Sequence, residues 1–342
     1  MRIGIVNDLP AISELLRRIV GLTPRHHVIW MAGSGAEAIE LCVKQTPDLV
    51  LMDLVMPGMN GAETTQRIMA STPCAILLVT ASVRDNAGLV LDALSHGAID
   101  AVDIPAMRGG DLRKDAGPFL SKIDIMSRLI GEKPGRRNAG ARPERAPRAL
   151  RSNQLIAIGS SAGGPAVLST ILGGLPKELP AAIVVVQHVA EEFVSGMADW
   201  LGQESALPVR VAEEGDCPTI GRVLLAGTSN HLVLKTAECL GYTTEPSDHV
   251  HRPSVDVFFQ SVCRLWRGDV VGVLLTGMGR DGALGLKALR DRGHHTIAQD
   301  EATSAVYGMP KAAATLDAAV DILPVERIAS RLVDVLAGKA DG

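Results

Sequence analysis

A run of apolar residues that ends in glycines is the feature that most constrains this chain. Leu155–Ile158 is apolar, residues 159–164 read GSSAGG, and a helical pattern follows over Pro165–Gly173. A buried strand that opens into a helix through such a turn presents backbone N–H groups there. A serine at this turn, here Ser161, is raised above the sheet beside donors for an oxyanion. A phosphate-binding loop or a plain tight turn remains an alternative at this point, and Ser160 is expected to be a turn residue.

The rest of the chain predicts two domains of one fold class. The length of 342 residues indicates about two domains, and the 46% of hydrophobic residues can fill two cores. Short apolar runs alternate with helical patterns of about 10 to 12 residues, which is typical of parallel sheets covered by helices on both faces. We therefore predict an α/β protein with two doubly wound parallel-sheet domains joined by a flexible linker.

Composition excludes several classes of protein. A net charge of −4 and a pI near 6.1 give no overall attraction to nucleic acid or to anionic membranes. The longest apolar runs have the length of strands, and Asn7 and Asp8 interrupt the apolar start of the chain, so neither a membrane span nor a signal peptide is expected. Five scattered cysteines favour a reducing compartment and a role as core residues. We expect a cytoplasmic protein.

Three polar side chains follow predicted strands in the first domain. Asp8, Asp53 and Thr80 each stand where an apolar run ends, and the carboxyl ends of parallel strands meet at one edge of a sheet. Two convergent carboxylates suit Mg²⁺, and one of them can then act as a nucleophile toward a phosphoryl donor. The alternative is that these acids only solvate loops.

The segment around Asp53 carries a resemblance to a known family. Residues 53–61 read DLVMPGMNG, and this run resembles the receiver domains of response regulators over about residues 1–125, with their flavodoxin-like fold. The resemblance implies that Asp53 is the phosphoacceptor, that Asp8 and Asp53 bind Mg²⁺, and that the Thr80 hydroxyl contacts the phosphoryl group.

Two positions depart from the receiver pattern. Asn7 replaces the first member of the usual acidic pair, and Ile104 stands where receivers carry a lysine before Pro105. The lysine supplies a point charge to the phosphoryl oxygens. Phosphorylation or its conformational readout is therefore expected to be altered.

Residues 126–152 are predicted to be a linker. A helical stripe reaches about Ile130, and beyond it three prolines and seven basic residues against two acidic ones leave almost no apolar side chains. An extended, solvated tether explains this composition better than a nucleic-acid-binding segment.

The second domain, residues 153–342, places three residues of a hydrolytic triad at strand ends. His188 follows the apolar run Ala181–Val186, and Asp281 follows the run Asp269–Leu275. A parallel sheet brings both to the edge that carries Ser161. A serine, a histidine that takes its proton and an aspartate that fixes the imidazole tautomer form a nucleophilic site. The order Ser–His–Asp along the chain differs from that of the α/β-hydrolases.

A second resemblance covers the whole chain. The sequence resembles the chemotaxis protein-glutamate methylesterases (the CheB family), with a Rossmann-like catalytic domain, through these motifs: GSSAGG, Gln187-His188, HRPSVD at 251–256, TGMGRDG at 276–282, TIAQ at 296–299 and YGMP at 307–310. It implies that Ser161, His188 and Asp281 hydrolyse γ-glutamyl methyl esters, and often deamidate glutamines, on cytoplasmic helices of chemoreceptors. The opening MRIGIVND and the missing lysine suggest the branch that serves Wsp-type surface-sensing pathways.

The same resemblance implies further residues and partners. The Met278 N–H is the expected oxyanion donor. Ala162, which follows the nucleophile where the family often has threonine, is expected at the same oxyanion or substrate-binding site. Arg252, with His251, either binds the substrate near its carbonyl or only braces loops. The implied partners are a methyl-accepting chemoreceptor and a CheA-type histidine kinase as phosphodonor, with Mg²⁺ for receiver phosphorylation and no cofactor for the esterase. No nucleic acid, no membrane insertion and a monomer are expected.

Two other functions compete with the esterase. A receiver-controlled regulator could act by binding DNA, but no helix-turn-helix pattern appears and the basic residues concentrate in the linker. A nucleotide-binding domain could use GSSAGG, but Ser161 occupies the place of the second glycine of G-x-G-x-x-G, and the P-loop lysine is missing.

Overall fold

The computed structural model describes residues 1–105, 112–131, 154–247, 249 and 251–338. The chain divides into two compact units, Met1–Gly131 and Glu132–Gly342. Each unit contains its own parallel sheet with helices. The predicted pair of α/β domains is confirmed.

The first unit is built on a five-stranded parallel sheet. Its strands are β1 Arg2–Val6, β2 His27–Ala32, β3 Leu49–Asp53, β4 Ala75–Thr80 and β5 Asp100–Asp103. The helices are α1 Pro10–Val20, α2 Gly35–Lys44, α3 Gly61–Ser71, α4 Ala87–Ser95, α5 Leu112–Asp115 and α6 Gly117–Gly131. The strand order is β2-β1-β3-β4-β5, and β3 is buried along its whole length because helices cover both faces.

Two helices of this unit begin at side-chain caps. Ser34 Oγ accepts from the N–H of Glu37 at 3.3 Å, and Asn60 Oδ1 accepts from the N–H of Glu63 at 2.9 Å. Each cap satisfies one of the free N–H groups in the first turn. The caps explain why α2 and α3 begin immediately after Ser34 and Asn60.

Helix α6 closes the first unit. Phe119, Ile123 and Met126 are buried along one face, and Asp124 Oδ1 lies 2.9 Å from Nε2 of the buried His26. The helix continues past residue 125, so residues 126–131 of the predicted linker are helical. The basic part of that linker, 132–152, lies outside the described residues, and the domain boundaries remain a prediction.

The second unit has a larger parallel sheet and a separate hairpin. Its strands are β6 Gln154–Ser160, β7 Ala182–Gln187, β8 Val209–Val211, β9 Val223–Leu225, β10 His231–Leu234, β11 Leu240–Thr243, β12 Asp269–Leu274, β13 His295–Gln299 and β14 Asp321–Leu323. The seven-stranded sheet has the order β14-β13-β12-β6-β7-β9-β8. Strands β10 and β11 form an antiparallel pair outside it, an arrangement that the sequence does not predict.

Helices cover this sheet and the hairpin. They are α7 Gly164–Gly173, α8 Glu191–Glu204, α9 Val255–Leu265, α10 Ala283–Asp291, α11 Met309–Thr315 and α12 Val325–Leu336. Phe258 and Phe259 of α9 are fully buried in one core with Leu232 and Leu234 of β10. Helix α9 thus packs against the hairpin, and this contact positions its first turn. Among the described residues, no helix is long and apolar enough to cross a membrane.

Candidate functional sites

The strand order of the second sheet brings the three predicted triad residues to one edge. Strand β6 lies between β7 and β12, and all three run parallel. Ser161 follows β6, His188 follows β7, and Asp281 lies in the loop after β12. Neighbouring strands therefore carry residues that are far apart in sequence to the same place.

The turn that holds Ser161 depends on close backbone contacts. Its N–H donates to the carbonyl of Thr276 at 3.0 Å, and its carbonyl accepts from the N–H of Gly164 at 2.8 Å. Gly163 has a φ of +74°, in the region that favours glycine. A Cβ at Gly277 would lie 2.7 Å from Ser161 Cβ, so only glycine lets the β12 loop approach the serine this closely.

Ser160 is not the turn residue that the sequence predicts. It is the last residue of β6 and fully buried, and its Oγ donates to Gln187 Oε1 at 2.6 Å. The strand continues beyond the apolar run because β7 and β12 pair with it up to Ser160 and Gly159. Ser160 is therefore a structural residue, and Ser161 alone stands in the turn.

The Asp281 carboxylate is surrounded by hydrogen-bond donors. Oδ2 accepts from His188 Nε2 at 2.8 Å and from the N–H of Val255 at 2.7 Å. Oδ1 accepts from Ser254 Oγ at 2.8 Å and from the N–H of Asp256 at 3.1 Å. Ser254 is the N-cap of α9, so the carboxylate sits at the N-terminus of that helix, where the helix dipole favours negative charge.

These contacts keep Asp281 ionised. Burial alone would raise the pKa of Asp281, but the hydrogen bond and charge of His188 and the N–H groups of Asp256 and Val255 outweigh burial and hold it far below its usual value. An ionised carboxylate only accepts hydrogen bonds. The proton in the His188–Asp281 hydrogen bond therefore belongs to His188 Nε2.

The tautomer of His188 follows from this hydrogen bond. With its proton on Nε2, a neutral imidazole has a lone pair on Nδ1. The Nδ1 atom is buried and has no hydrogen-bond partner among the described residues. His188 therefore presents an unused acceptor, as a general base requires.

The Ser161 side chain is half-buried and its Oγ makes no hydrogen bond with a described residue. No hydrogen bond thus joins Ser161 to His188, the predicted base, in this structure. Catalytic hydrogen bonds are often long in free enzymes and tighten when substrate binds.

Two backbone N–H groups near Ser161 are candidates for an oxyanion hole. Within the described part of the chain, neither the N–H of Ala162 nor that of Met278 donates to an acceptor. Ala162 directly follows Ser161, and Met278 follows Gly277, where an added Cβ would lie 2.7 Å from Ser161 Cβ. Free donors at these two places fit the predicted roles of both residues.

Gln187 connects the serine and the histidine, a role that sequence analysis missed. Its Nε2 donates to the carbonyls of Ser161 at 2.8 Å and His188 at 3.0 Å, while its Oε1 accepts from Ser160. One buried amide thus fixes the main chain beside both predicted catalytic residues. The signal was available in the sequence as a glutamine that ends an otherwise apolar strand.

His251 and Arg252 are adjacent in sequence but make different contacts. The His251 ring stacks on His188, with centroids 4.4 Å apart and planes 10° from parallel. The exposed Arg252 guanidinium donates to the carbonyl of Ser247, which braces its own loop. The structure thus places His251 at the site, while the role of Arg252 in substrate binding remains a prediction.

His231 is a second residue that sequence analysis missed. It is fully buried; its Nδ1 accepts from the N–H of Ser254 at 3.1 Å and its Nε2 donates to the carbonyl of Pro246 at 3.1 Å. It therefore holds the N-cap residue that binds Asp281. Nothing in the local sequence marks it, because the contact joins β10 to α9.

In the first unit, Asn7 binds the predicted phosphoacceptor directly. Asn7 Nδ2 donates to Asp53 Oδ2 at 2.7 Å, and the N–H of Val55 donates to Asp53 Oδ1 at 3.3 Å. Burial raises the pKa of Asp53, the N–H groups of Val55 and Leu54 lower it, and the charge of Asp8 raises it again. The pKa of Asp53 is raised overall, so its ionised form is less stable than that of an exposed aspartate.

The other predicted residues of this site also lie at the ends of strands. Thr80 ends β4, and its Oγ1 accepts from Asn86 Nδ2 at 3.0 Å. Ile104 follows β5, and its N–H donates to the carbonyl of Thr80 at 2.8 Å. An apolar side chain thus stands where a lysine would supply charge.

The donor set of this site fits a divalent cation, with one difference. Asp8 and Asp53 provide carboxylate oxygens, which Mg²⁺ prefers, and their charges interact. The Asn7 amide, however, points a donor at Asp53 and brings no negative charge. The residues fit Mg²⁺ with weaker binding than an acidic pair would give.

Comparison with known proteins places this geometry in a family. The family model for CheB methylesterase matches residues 156–332, and that for the response regulator receiver domain matches residues 3–109. The chain belongs to the CheB methylesterase family. The two matches correspond to the two units of the structure.

Relatives of this CheB-family chain match it from end to end. A protein of Pseudomonas savastanoi pv. phaseolicola named protein-glutamate methylesterase/protein-glutamine glutaminase 3 is 56% identical, over 98% of this chain and 99% of its own length. A protein of Mesorhizobium japonicum with that name, without the number, is 54% identical over 98% of each chain. The crystal structure of the Thermotoga maritima CheB methylesterase catalytic domain has 34% identity and a TM-score of 0.52, over 54% of this chain and 100% of that domain.

Proposed function

We propose that the chain is a receiver-regulated serine hydrolase that removes methyl groups from γ-glutamyl methyl esters on the cytoplasmic helices of a methyl-accepting chemoreceptor. The observation that carries the proposal is the His188–Asp281 hydrogen bond, which leaves Nδ1 of His188 as a buried, unused acceptor at the edge that holds Ser161. A substrate on cytoplasmic receptor helices puts the enzyme in the cytoplasm.

The proposed reaction proceeds through an acyl-enzyme. His188 Nδ1 takes the Ser161 proton as Oγ attacks the ester carbonyl, and the N–H groups of Met278 and Ala162 stabilise the oxyanion. The carbon–oxygen bond to the methoxy group then breaks, and His188 returns its proton so that methanol leaves. Water, deprotonated by His188, next hydrolyses the acyl-enzyme to the glutamate carboxylate and frees Ser161.

The same site also suits an amide. A glutamine side chain differs only in its leaving group, which departs as ammonia after taking the proton from His188. The names of the relatives include protein-glutamine glutaminase. We therefore include deamidation of receptor glutamines in the proposed function.

The first unit supplies the regulation in this proposal. A CheA-type histidine kinase phosphorylates Asp53, and Thr80 contacts the phosphoryl group. Asp8 and Asp53 would hold Mg²⁺, which when bound would offset the negative charge of the phosphoryl oxygens. The proposed domains are 1–125 for the receiver, 126–152 for the linker and 153–342 for the esterase. The chain acts as a monomer and binds no nucleic acid.

Methanol release from a methylated receptor tests the esterase. Ser161→Ala should lower the rate on the order of 10³-fold or more, and His188→Ala by a comparable factor, because triad residues act as a unit. Ser195→Ala, at an exposed position of α8, is the matched control and should retain the wild-type rate. Near wild-type release by Ser161→Ala would overturn the assignment, and a chain that releases no methanol under any condition would favour a regulator that acts by binding.

Restraint by the receiver is tested by removing it. A fragment that begins at Asn153 should release methanol faster than the full chain without a phosphodonor. Circular dichroism must show that the fragment is folded. A folded fragment with equal or lower activity contradicts restraint and leaves the esterase assignment intact.

A further inference from the structure

Two cysteines of the second unit are in contact at its surface. The Sγ atoms of Cys217 and Cys239 lie 3.3 Å apart, Cys217 is exposed and Cys239 is half-buried. Cys217 lies in the loop between β8 and β9, and Cys239 lies in the turn of the β10–β11 hairpin. The interpretation of the cysteines as scattered core residues is therefore wrong for this pair, although Cys42 and Cys263 are buried.

The main chain beside the two cysteines is already joined. The carbonyl of Asp216 accepts from the N–H of Leu240 at 2.7 Å, and the N–H of Gly215 donates to the carbonyl of Leu240 at 3.0 Å. Arg210 holds Asp216 with two hydrogen bonds of 2.6 and 2.8 Å. The residues next to both cysteines are therefore fixed against each other, which keeps the two thiols side by side.

The chemistry of the pair is that of two thiols. A metal site would need at least one more histidine, cysteine, aspartate or glutamate beside the two cysteines. No such group is found among the described residues. Neighbouring thiols with one exposed member can exchange with a small disulfide, because access and proximity control that reaction.

We propose that Cys217 and Cys239 are a redox modification site. The two residues form a reversible intrachain disulfide by exchange with a low-molecular-weight disulfide such as oxidised glutathione. The Cys217 thiolate attacks one glutathione sulfur, forms a mixed disulfide and releases one glutathione thiolate, which takes up the proton that Cys217 lost. Cys239, as its thiolate, then attacks the Cys217 sulfur and releases the second glutathione in the same way. Two protein thiols are oxidised, and one glutathione disulfide is reduced to two thiols.

The pKa of Cys217 controls the rate of this exchange. The hydrogen bond with Cys239, burial and the negative charges of Cys239, Glu238 and Asp216 raise the pKa of Cys217. Its thiolate is therefore scarce at neutral pH, and the reaction should accelerate by about tenfold per pH unit below that pKa.

The disulfide would join the hairpin to the loop of an edge strand. The β10–β11 pair has two strands and is separate from the seven-stranded sheet, so its stability depends on its packing against α9. A cross-link between residues 22 positions apart reduces the freedom of the opened hairpin and so disfavours its local opening. This proposal is independent of the esterase assignment, because its readouts are thiol chemistry and hydrogen exchange.

The experiment treats the reduced full chain with oxidised glutathione and maps its tryptic peptides. Trypsin cuts after Arg222 and Lys235, so a disulfide appears as two peptides joined through Cys217 and Cys239, and dithiothreitol separates them. The N–H groups of Leu240 and Tyr242 should exchange about tenfold more slowly in the oxidised form. Cys217→Ser should show neither change, whereas Cys74→Ser should show both.

Three outcomes would overturn the proposal. They are unreacted thiols after prolonged treatment at pH 8.5, mixed glutathione disulfides on both cysteines without a cross-linked peptide, and a disulfide that links two chains. A cross-linked peptide without slower exchange would overturn the claim about the hairpin.

Discussion

The ring of His251 lies flat against the ring of His188, with centroids 4.4 Å apart. Among the described residues, Asp281 at Nε2 is the one hydrogen-bond partner of the His188 ring, so rotation about that hydrogen bond would displace Nδ1. Burial lowers the pKa of His251, and a positive charge on His188 would lower it further. His251 is therefore neutral near pH 7.5, and we propose that its ring keeps the His188 imidazole in position.

Replacing His251 should separate stacking from charge. His251→Ala removes the ring and should lower kcat about three- to tenfold with little change in KM, as expected for the loss of one aromatic pair. His251→Phe keeps a flat ring and should retain most of the activity. The measurement is methanol release at pH 7.5, and equal losses in the two variants would show that the ring does not position His188.

Ser254 should matter more for activity than its role as a helix cap predicts. Ser254→Ala removes the cap of α9 and one donor to Asp281. We expect the free energy of unfolding to decrease by about 1 kcal/mol. We expect kcat to fall about tenfold, because the Asp281 carboxylate loses the hydrogen bond from Ser254 Oγ. Ser34→Ala removes a comparable cap from α2 and is the matched control. A similar kcat in both variants, measured beside urea unfolding, would contradict a role in positioning Asp281.

His231 predicts that the folded state weakens in acid. Burial lowers the pKa of His231, because the charged imidazolium is poorly solvated in the core. A proton on Nδ1 would in addition break its hydrogen bond with the N–H of Ser254. The unfolded chain takes up this proton below about pH 6.5. The contribution of His231 is therefore complete above that pH and is lost as pH falls through the lower, folded pKa.

The measurement for His231 is the free energy of unfolding between pH 7.5 and 5.5. The free energy of unfolding should decrease as the pH falls in the wild type, and it should decrease less steeply in His231→Gln. His27→Gln, at an exposed position of β2, should keep the wild-type slope. An unchanged slope in His231→Gln would exclude His231 as the source.

Asn7 should make phosphorylation of Asp53 need more Mg²⁺. The amide adds no negative charge and already donates to Asp53, so Asn7→Asp should lower the Mg²⁺ concentration for half-maximal modification, on the order of tenfold. Intact mass follows the Asp53 adduct during titration with a small phosphodonor. Absence of any adduct in the wild type at every Mg²⁺ concentration would show that the site does not function as a phosphoacceptor.

Ile104 should weaken the effect of phosphorylation on the esterase. Without a lysine, no cation from this position pairs with the phosphoryl group to draw Thr80 toward it. Ile104→Lys should therefore raise the methanol-release rate of the phosphorylated chain more than that of the unmodified chain. Full activation of the wild type with no gain in Ile104→Lys would refute the argument.

Strand ends were predictable from sequence, but the contacts that support the site were not. Ser161, His188 and Asp53 each stand at or just beyond the end of an apolar run. Buried parallel strands have continuous apolar sequences, so the ends of these runs predict where such residues lie. The supports of Asp281 come from Ser254 and His231, which reach it only through tertiary packing of α9 on the hairpin. Ser160 was misjudged because pairing with β7 extends the strand past its apolar residues.

Short elements were also missed, for a related reason. Strands β11 and β14 contain four and three residues, too few to show a periodic pattern. The contact between Cys217 and Cys239 depends on where β11 lies, so it could not be read from their spacing. Local pattern thus predicts where the reacting residues stand, and tertiary packing determines what holds them.

The middle position of β6 in the seven-stranded sheet has a consequence for how the enzyme fails on heating. Fraying begins at sheet edges and isolated hairpins and reaches a central strand only when the whole unit unfolds. Ser161 is attached to that strand, whereas Asp281 depends on α9 and the β10–β11 hairpin. A protein warmed to just below its melting temperature should therefore lose the support of its base first and keep the geometry of its nucleophile until the end.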